Sequence, residues 1–387
     1  MKCKGVETST RDFIEIEGDS VISRIDPVLE AADNAHWIAP GFVDLQVNGF
    51  AGVDYNSPAQ LTENALEEIA RSIRAIFATG VTRFFPTVIT GSPQDMLDAL
   101  KNLAHAKETL AEGAAMEAFH VEGPHISPHD GPRGAHPARW VRAPDFEEFR
   151  RWQDAAGGNV RLVTLSPEWP EAKRYIEQLT REGIVTSIGH TRATHQQIGD
   201  AVRAGATLST HLGNGADAVL PRHPNYIWEQ LAEDKLAASF IVDGHHLPES
   251  VLRVALRAKG IERSVLVTDA VMPATCAPGD YHLGEVEVEL KDDDRVVLRG
   301  GTRLAGSALR MDAAISNVMR TAGVSLTEAI AMATVNPARV GRIGARIRGL
   351  RAGDRADVVR FALEEGRVRV METFMSGERV FAAAGKV

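Results

Sequence analysis

Cysteine is almost absent from this chain, since Cys3 and Cys276 are its only two and lie far apart in the sequence. This scarcity excludes a disulfide framework and a zinc site built from thiolates, and it is typical of a protein from a reducing cytoplasm. No apolar run reaches the length of a membrane helix, and residues 1–20 contain no apolar stretch of a signal peptide. We therefore expect a cytoplasmic protein that has no membrane partner.

An excess of positive charge is also missing, because the formal net charge is −9 at pH 7. A nucleic-acid partner would therefore gain no general electrostatic attraction, and none is expected. Local groups of Arg and His still allow a phosphorylated small molecule as substrate. The hydrophobic fraction of 44% and the charged fraction of 25% are ordinary for a globular protein, and 387 residues can bury a large core.

Short apolar runs rich in β-branched residues alternate with helical stretches between residues 41 and 345. We predict eight strands, at Gly41–Asn48, Thr82–Thr87, Met116–Glu122, Arg161–Ser166, Ile184–His190, Ala206–His211, Ala237–Asp243 and Ser264–Asp269. Helices are predicted between them, among others at Leu61–Thr79, Ser92–Ala111, Glu171–Glu182 and Thr194–Ala204. Eight successive βα units predict an α/β fold, a (β/α)8 barrel of the TIM type, whose chemistry lies at the carboxyl ends of the strands.

The two ends of the chain have a different pattern. Phe13–Ile25 near the start has strand character, as do Asp357–Phe361 and Arg367–Phe381 near the end. We predict that residues 1–40 and 346–387 together form a small β-sandwich domain and that residues 41–345 form the barrel. Tyr281–Leu298 alternates apolar and charged residues, which predicts a hairpin inserted after the eighth strand.

Four polar residues close four of the predicted strands: Glu122, His190, His211 and Asp269. A carboxylate and two imidazoles are the ligand set of a catalytic zinc-type site, which keeps one position open. A single strand-end His or Asp is often only hydrogen-bonded, but four at one level of a barrel are hard to explain by core packing. We predict that Glu122, His190 and His211 bind a metal ion and that Asp269 is the general base and acid of a hydrolytic reaction.

The first predicted strand carries Gln46 and Asn48 on one face. Neutral amide oxygens are much weaker ligands than imidazole for ions of the zinc class. We therefore expect one tightly held divalent ion rather than two, with zinc as the first choice and iron or another divalent ion as the alternative. His120 shares a face with Glu122, and the sequence leaves open whether it supports the metal ligands or is a hydrogen-bonded core residue.

Five short motifs occur in a fixed order: Pro-Gly-Phe-Val-Asp at 40–44, His-Val-Glu-Gly-Pro at 120–124, Gly-His-Thr at 189–191, Thr-His-Leu at 210–212 and Val-Thr-Asp-Ala at 267–270. With these motifs the chain resembles the amidohydrolase superfamily. The resemblance narrows to the family of N-acetylglucosamine-6-phosphate deacetylases through Gln46-x-Asn48-Gly49, Gly134-Ala135-His136-Pro137 and Asp243-Gly244-His245-His246.

This resemblance implies hydrolysis of the N-acetyl group of N-acetylglucosamine 6-phosphate to acetate and glucosamine 6-phosphate. It implies the metal and acid–base roles given above. It also implies a substrate site formed by Ala135, His136, Asn214, Gly215, Arg222, Asp243, Gly244, His245, His246, Leu304, Ala305 and Gly306. Within this set, His136 would help to polarise the acetyl carbonyl and His246 would lie near the phosphate. Arg222 would bind the phosphate from the partner subunit of a homodimer.

The loop after His211 departs from the family pattern, because Gly213-Asn214-Gly215-Ala216 lacks the usual aromatic residue. N-acetylgalactosamine 6-phosphate or another N-acyl amino-sugar phosphate is therefore an alternative substrate. A cyclic-amide hydrolase is a weaker alternative, because the fourth strand is followed by Pro167-Glu168 and has no lysine of the kind those enzymes often use. A non-catalytic sugar-phosphate-binding barrel is weaker still, since binding alone does not require the metal ligands and Asp269.

Overall fold

The computed structural model describes residues 1–29, 36–59, 61–344 and 348–384. Its central sheet has eight parallel strands, numbered one to eight in chain order: Phe42–Val47, Val81–Ile89, Phe119–Glu122, Val160–Leu165, Val185–Ile188, Leu208–Ser209, Ala237–Phe240 and Ser264–Leu266. Each strand pairs with the next one along the chain. The ends of strands one and eight are joined by hydrogen bonds from Asp269 N to Gln46 O (3.0 Å) and from Asn48 N to Ala270 O (2.7 Å). The predicted (β/α)8 barrel is thus confirmed.

Helices lie between and after the strands. Their buried apolar residues share one hydrophobic core with those of the barrel strands. The α-helices are Glu63–Phe77, Pro93–Thr109, Phe146–Ala155, Ala172–Arg181, His195–Ala204, Tyr226–Ala232, Glu249–Lys259, Met311–Ala322, Leu326–Ala333 and Val335–Val340, and the 3-10 helices are Ala111–Ala115, Ala138–Trp140 and Ile261–Arg263. Ser92 and Thr194, which we predicted inside helices, are N-caps whose side chains accept backbone hydrogen bonds. Within the described ranges, no helix has both the length and the apolarity that crossing a membrane requires.

Several strands are shorter than predicted, and the backbone explains the difference. The predicted strands ending at His190, His211 and Asp269 were too long, because these residues have φ angles of 49°, 29° and 51°. Such left-handed angles are incompatible with an extended strand and turn the chain out of the sheet. The seventh strand likewise ends at Phe240 instead of Asp243. The third begins at Phe119 instead of Met116, which forms only an isolated bridge with Phe84.

Both ends of the chain contribute to one further sheet. Its seven strands are Lys2–Glu7, Phe13–Gly18, Ile22–Pro27, Trp37–Pro40, Val358–Glu364, Arg367–Met375 and Glu378–Ala382. Trp37–Pro40 lies at the junction, since it pairs with Lys2–Glu7 on one side and with Val358–Glu364 on the other. A separate β domain built from both termini is therefore confirmed. Its predicted boundaries at residues 40 and 346 stay a prediction, and residue 346 is outside the described ranges.

The predicted insertion after strand eight is present and larger than a hairpin. Three antiparallel strands form it, at Gly279–Leu283, Val286–Leu290 and Val296–Leu298. A turn around residues 292–294 joins the last two, and Gly284 and Glu285 join the first two. A second small hairpin follows strand one and consists of Gly49–Phe50 and Val53–Asp54.

A buried charged cluster connects the terminal sheet to the barrel. Asp357 is fully buried, and its carboxylate accepts hydrogen bonds from Arg83 Nε (2.9 Å) and Arg355 Nε (2.8 Å). We expect Asp357→Asn to lower the free energy of unfolding by about 3 kcal/mol, because the buried Arg83 guanidinium loses one of its carboxylate partners. Urea unfolding followed by circular dichroism measures this change.

Asp26→Asn is the matched control, since it makes the same substitution in a strand of the terminal sheet, whose strand Val358–Glu364 directly follows Asp357. Asp26 pairs with Arg24 at 2.7 Å, but both side chains are about half exposed. A solvent-exposed pair contributes about 1 kcal/mol or less. Equal destabilisation by the two variants would contradict a special contribution from the buried cluster.

Candidate metal centre and active site

Three buried side chains converge at the carboxyl end of the barrel. Glu122 is the last residue of strand three, and His190 and His211 are each the second residue after the end of strands five and six. Glu122 Oε1 lies 3.0 Å from His211 Nε2 and 3.5 Å from His190 Nε2, and the two Nε2 atoms are 3.1 Å apart. Ligand atoms around a tetrahedral zinc ion, at bond lengths of 2.0–2.1 Å, lie roughly 3.3 Å from one another. The structure therefore brings the three predicted ligands together at a spacing that fits a small divalent ion.

His136 offers a second combination around the same carboxylate. Its Nε2 lies 3.9 Å from Glu122 Oε2, and its ring packs edge-on against His190 with centroids 4.4 Å apart. Glu122, His136 and His190 each provide a potential ligand atom within 4.8 Å of the others. Thr90 Oγ1 holds His136 Nδ1 at 2.8 Å. The candidate metal centre thus consists of Glu122 and His190 with His211 on one side and His136 on the other.

The protonation of these groups also suits a cation. His190 Nδ1 lies 2.9 Å from the carbonyl oxygen of Pro132, which places the ring proton on Nδ1 and leaves the Nε2 lone pair available. Burial opposes ionisation of Glu122, but the adjacent imidazoles of His190 and His211 outweigh burial and hold the pKa of Glu122 well below its usual value. The site therefore presents an ionised carboxylate, which is the form that binds a metal.

Asp269 lies beside this cluster, just after strand eight, and is also buried. Its Oδ1 accepts hydrogen bonds from Gln46 Nε2 (3.0 Å) and Asn48 Nδ2 (2.7 Å). Burial, and after it the negative charge of Glu122, raises the pKa of Asp269 to about 6. A carboxyl group with a pKa near neutrality can accept a proton and return it, as a general base and acid must.

Backbone strain occurs at three residues of this site, His190, His211 and Asp269. The left-handed φ angles of His190, His211 and Asp269 are uncommon for residues other than glycine. Such strained conformations are concentrated at functional sites, where the surrounding structure maintains them. Their occurrence at all three strand ends supports a functional interpretation of this end of the barrel.

His120 is hydrogen-bonded inside the barrel. Its Nε2 lies 2.8 Å from Thr164 Oγ1, and its Nδ1 lies 3.4 Å from Thr87 Oγ1. Burial lowers the pKa of His120 to about 4, so the ring is neutral at pH 7. Of the two interpretations that the sequence left open, these contacts favour a hydrogen-bonded core residue.

A cavity of about 420 Å³ opens above the cluster. From the predicted site it is lined by Glu122, Ala135, His136, His190, His211, Asn214, Gly215, His246, Asp269, Leu304, Ala305 and Gly306. Asp243, Gly244 and His245 are not part of the lining, although Asp243 Oδ2 contacts His246 Nδ1 at 2.7 Å and so holds that ring. Arg222 is exposed and lies outside the cavity of its own chain.

The cavity also contains residues that sequence reasoning missed. Ile89 is the last residue of strand two, Leu283 belongs to the inserted sheet, and Arg303 directly precedes the predicted Leu304 segment. Arg303 forms a bidentate ion pair with Asp130 at 2.7 and 3.1 Å. A single Ile or Leu carries no sequence signal of its own. Arg303 had only its position next to Leu304 to indicate it.

The barrel and its carboxylate–imidazole cluster define the class of barrel hydrolases that bind a metal ion at the carboxyl ends of their strands. In agreement, the sequence matches the amidohydrolase family over residues 37–380. The chain belongs to this family, as its motifs predicted.

Individual relatives extend this assignment over most of the chain. The N-acetylglucosamine-6-phosphate deacetylase of Bos taurus is 36% identical over 357 residues, which cover 89% of this chain and 83% of that protein. The N-acetylgalactosamine-6-phosphate deacetylase of Escherichia coli O157:H7 is 32% identical over 365 residues, with coverage of 93% and 92%. The crystal structure of N-acetyl-D-glucosamine-6-phosphate deacetylase from Mycobacterium smegmatis is 30% identical, with a TM-score of 0.85 and coverage of 95% and 96%.

Proposed function

We propose that this protein is a metal-dependent deacetylase of N-acetylglucosamine 6-phosphate, which releases acetate and glucosamine 6-phosphate. The observation that carries the proposal is the convergence of Glu122, His190 and His211 beside Asp269 in one cavity. The similarity to deacetylases of N-acetylhexosamine phosphates, which extends over about nine-tenths of the chain, indicates the substrate class.

Glu122, His190 and His211 are the residues that we propose to hold the ion. Their three ligand atoms are 3.0–3.5 Å apart, whereas His136 faces the other oxygen of the carboxylate at 3.9 Å. When bound, a divalent cation polarises the acyl carbonyl and lowers the pKa of a water molecule. Zinc suits this ligand set, and iron or another divalent ion is the alternative.

Asp269 and His136 carry the remaining chemistry in this proposal. Asp269 takes a proton from the attacking water and later delivers it to the leaving nitrogen. Burial, with a smaller effect from His190, lowers the pKa of His136 to about 3, so its ring is neutral. Because Thr90 holds Nδ1, Nε2 is the atom that can contact the acyl oxygen of the substrate.

N-acetylgalactosamine 6-phosphate is the second candidate substrate, favoured by the Escherichia coli relative and by the small residues of the loop at 213–216. A cyclic-amide hydrolase is not favoured, because Glu168 beyond strand four binds Ser166 Oγ (2.7 Å) and Arg192 N (2.8 Å) and no lysine occupies its place. Acetate release by the zinc-loaded protein from both hexosamine phosphates tests the proposal. A metal-loaded protein that releases acetate from neither of them would refute it.

The phosphate of the substrate is the proposed ligand of Arg222, supplied by the partner subunit of a homodimer. Arg222 is exposed and lies outside its own cavity, and two exposed apolar side chains are near it in the chain, Val219 (86% exposed) and Trp228 (50%). An apolar surface of this kind is suited to contact with a second copy, and guanidinium binds phosphate in a bidentate manner. In the substrate's own chain, His246 lines the cavity and is the proposed second phosphate contact.

We expect Arg222→Ala to raise KM for the phosphorylated sugar by about tenfold or more, because a hydrogen bond between charged groups is lost. KM for unphosphorylated N-acetylglucosamine should change little. Arg203→Ala is the matched control, since Arg203 is an exposed arginine paired with Asp200 on helix His195–Ala204. Steady-state kinetics on both sugars measures the difference, and equal effects on both sugars would remove Arg222 from the phosphate site.

A mixing experiment tests directly whether Arg222 acts in the active site of the other subunit. Arg222→Ala chains retain Asp269, and Asp269→Asn chains retain Arg222, so a mixed dimer contains one complete site if Arg222 acts across the interface. Refolding the two variants together should then restore activity with a low KM. Activity no greater than that of the separate variants would place Arg222 in its own chain's site or outside any site.

The cytoplasm is the proposed location. Cys3 and Cys276 are both free thiols. Cys3 is buried, and burial raises its pKa to about 12, so its thiolate is scarce at pH 7. Unpaired thiols of this kind are ordinary in a reducing compartment.

A further inference from the structure

Two side-chain amides meet the Asp269 carboxylate where the barrel closes. Gln46 Nε2 lies 3.0 Å and Asn48 Nδ2 lies 2.7 Å from Asp269 Oδ1, and all three residues are buried. Gln46 and Asn48 are next-but-one neighbours on strand one and its extension, so their side chains project toward the same face. Both hydrogen bonds therefore connect strand one and its extension to Asp269, which lies just beyond the end of strand eight.

The chemistry of these contacts determines how the amides are oriented. A carboxylate oxygen accepts hydrogen bonds, and only the NH2 group of an amide can donate one. Gln46 and Asn48 therefore direct their nitrogens, and not their oxygens, at Asp269. By residue type both are weak potential metal ligands, whereas in the structure their NH2 groups are donors to the proposed base.

Both amides donate to the same oxygen of Asp269, Oδ1, so the two oxygens of the carboxylate have different hydrogen-bond environments. Within the described part of the chain, Oδ2 has no hydrogen-bond donor from the protein, and Asp269 lines the cavity. We propose that Gln46 and Asn48 are positioning residues that hold Asp269 by Oδ1 and so reserve Oδ2 for the proton that is transferred. This proposal rests on the deacetylase activity proposed above.

The backbone around Asp269 supports the same arrangement. Asp269 N donates to Gln46 O at 3.0 Å, so Gln46 holds Asp269 through both its main chain and its side chain. The preceding Thr268 donates its hydroxyl to buried Asp44 at 2.6 Å. The φ angle of Asp269 is strained, and these contacts help to maintain the backbone conformation from which its side chain meets Gln46 and Asn48.

Gln46 is the better of the two positions for a test. Asn48 lines the cavity, and its Oδ1 is buried without a partner among the described residues, so its replacement could also alter substrate contacts. Gln46 does not line the cavity. Gln46→Met keeps the length of the side chain and removes the amide, which isolates the hydrogen bond to Asp269.

We expect Gln46→Met to lower kcat about tenfold to a hundredfold, since small displacements of a catalytic group have effects of this size. KM and the metal content after dialysis should remain those of the wild type. Gln153→Leu is the control, because the Gln153 amide binds the Val160 backbone outside the cavity and its loss should leave kcat unchanged. If Gln46→Met does not fold, Gln46→Asn replaces it, since its shortened amide no longer reaches Oδ1.

The decisive measurement is a double-mutant cycle with Asp269→Asn. If Gln46 acts through Asp269, Gln46→Met should cause no further loss of the residual kcat in the Asp269→Asn background. An equal loss in both backgrounds, or a raised KM with unchanged kcat, would overturn the positioning role. Failure of the wild type itself to release acetate would instead refute the proposed function, so the two failures are distinguishable.

Discussion

Replacing Asp269 by Asn should lower kcat by about 10²–10⁴-fold, which is the usual contribution of a positioned general acid or base. Asparagine keeps the shape of the side chain but cannot take up a proton at neutral pH. Asp269 is not among the proposed metal ligands, so the variant should bind metal as the wild type does. Acetate release and metal content, measured on the same preparation, test both expectations, and near-normal turnover in a metal-loaded Asp269→Asn protein would show that another group is the base.

The pH dependence of the same two proteins provides an internal check. Because the pKa of Asp269 is raised to about 6, the group is ionised above that pH and becomes protonated as the pH falls through it. The base is then lost, so kcat/KM of the wild type should decline toward acid. A cation at the neighbouring site would lower this pKa, which places the decline at or below pH 6. The residual activity of Asp269→Asn should lack it.

Replacing Glu122 by Gln should remove most of the bound metal and nearly all of the activity. The substitution exchanges the single anionic ligand for a neutral amide, and the two imidazoles that remain bind zinc-class ions less firmly. Changes that affect only the surroundings of ligands already lower metal affinity by about 10–100-fold, so the loss of a ligand should exceed that range. Metal content after dialysis and acetate release at increasing zinc concentration measure the effect.

Glu168→Gln is the matched control for this variant. Glu168 also lies at the carboxyl end of the barrel, three residues after strand four, but its carboxylate accepts hydrogen bonds from Ser166 and the Arg192 backbone and does not line the cavity. It should retain metal and activity. A Glu122→Gln protein that keeps its metal as firmly as Glu168→Gln would mean that the ion is held by other residues.

Much of this fold and site could be predicted because both depend on short-range patterns. A strand that is buried on both faces needs an apolar run, and a polar residue at the end of that run is visible in the sequence. Since parallel strands bring their carboxyl ends together, Glu122, His190 and His211 could be expected to converge before any distance was known. The two-ended β domain was predictable for a similar reason, since both flanks have strand character without intervening helices.

Other features depend on contacts between distant segments and could not be predicted from local patterns. The strands before His190 and His211 were predicted too long, because nothing in the residue types at these positions indicates a positive φ angle. The amides of Gln46 and Asn48 could be assessed as ligands, but their partner lies more than two hundred residues away, and only the closure of the barrel brings it within reach. The support of His136 by Thr90 likewise joins two loops with no shared motif.

The sheet that both termini share has a consequence for how the chain folds. Trp37–Pro40 pairs with Val358–Glu364, so one edge of the early strands stays open until the whole barrel has been synthesised. An open strand edge is a site at which chains pair wrongly with one another. Newly made protein should therefore be most prone to aggregation just before its last strands are added, and shortening the C-terminus should reduce the yield of native protein even though every catalytic side chain is still present.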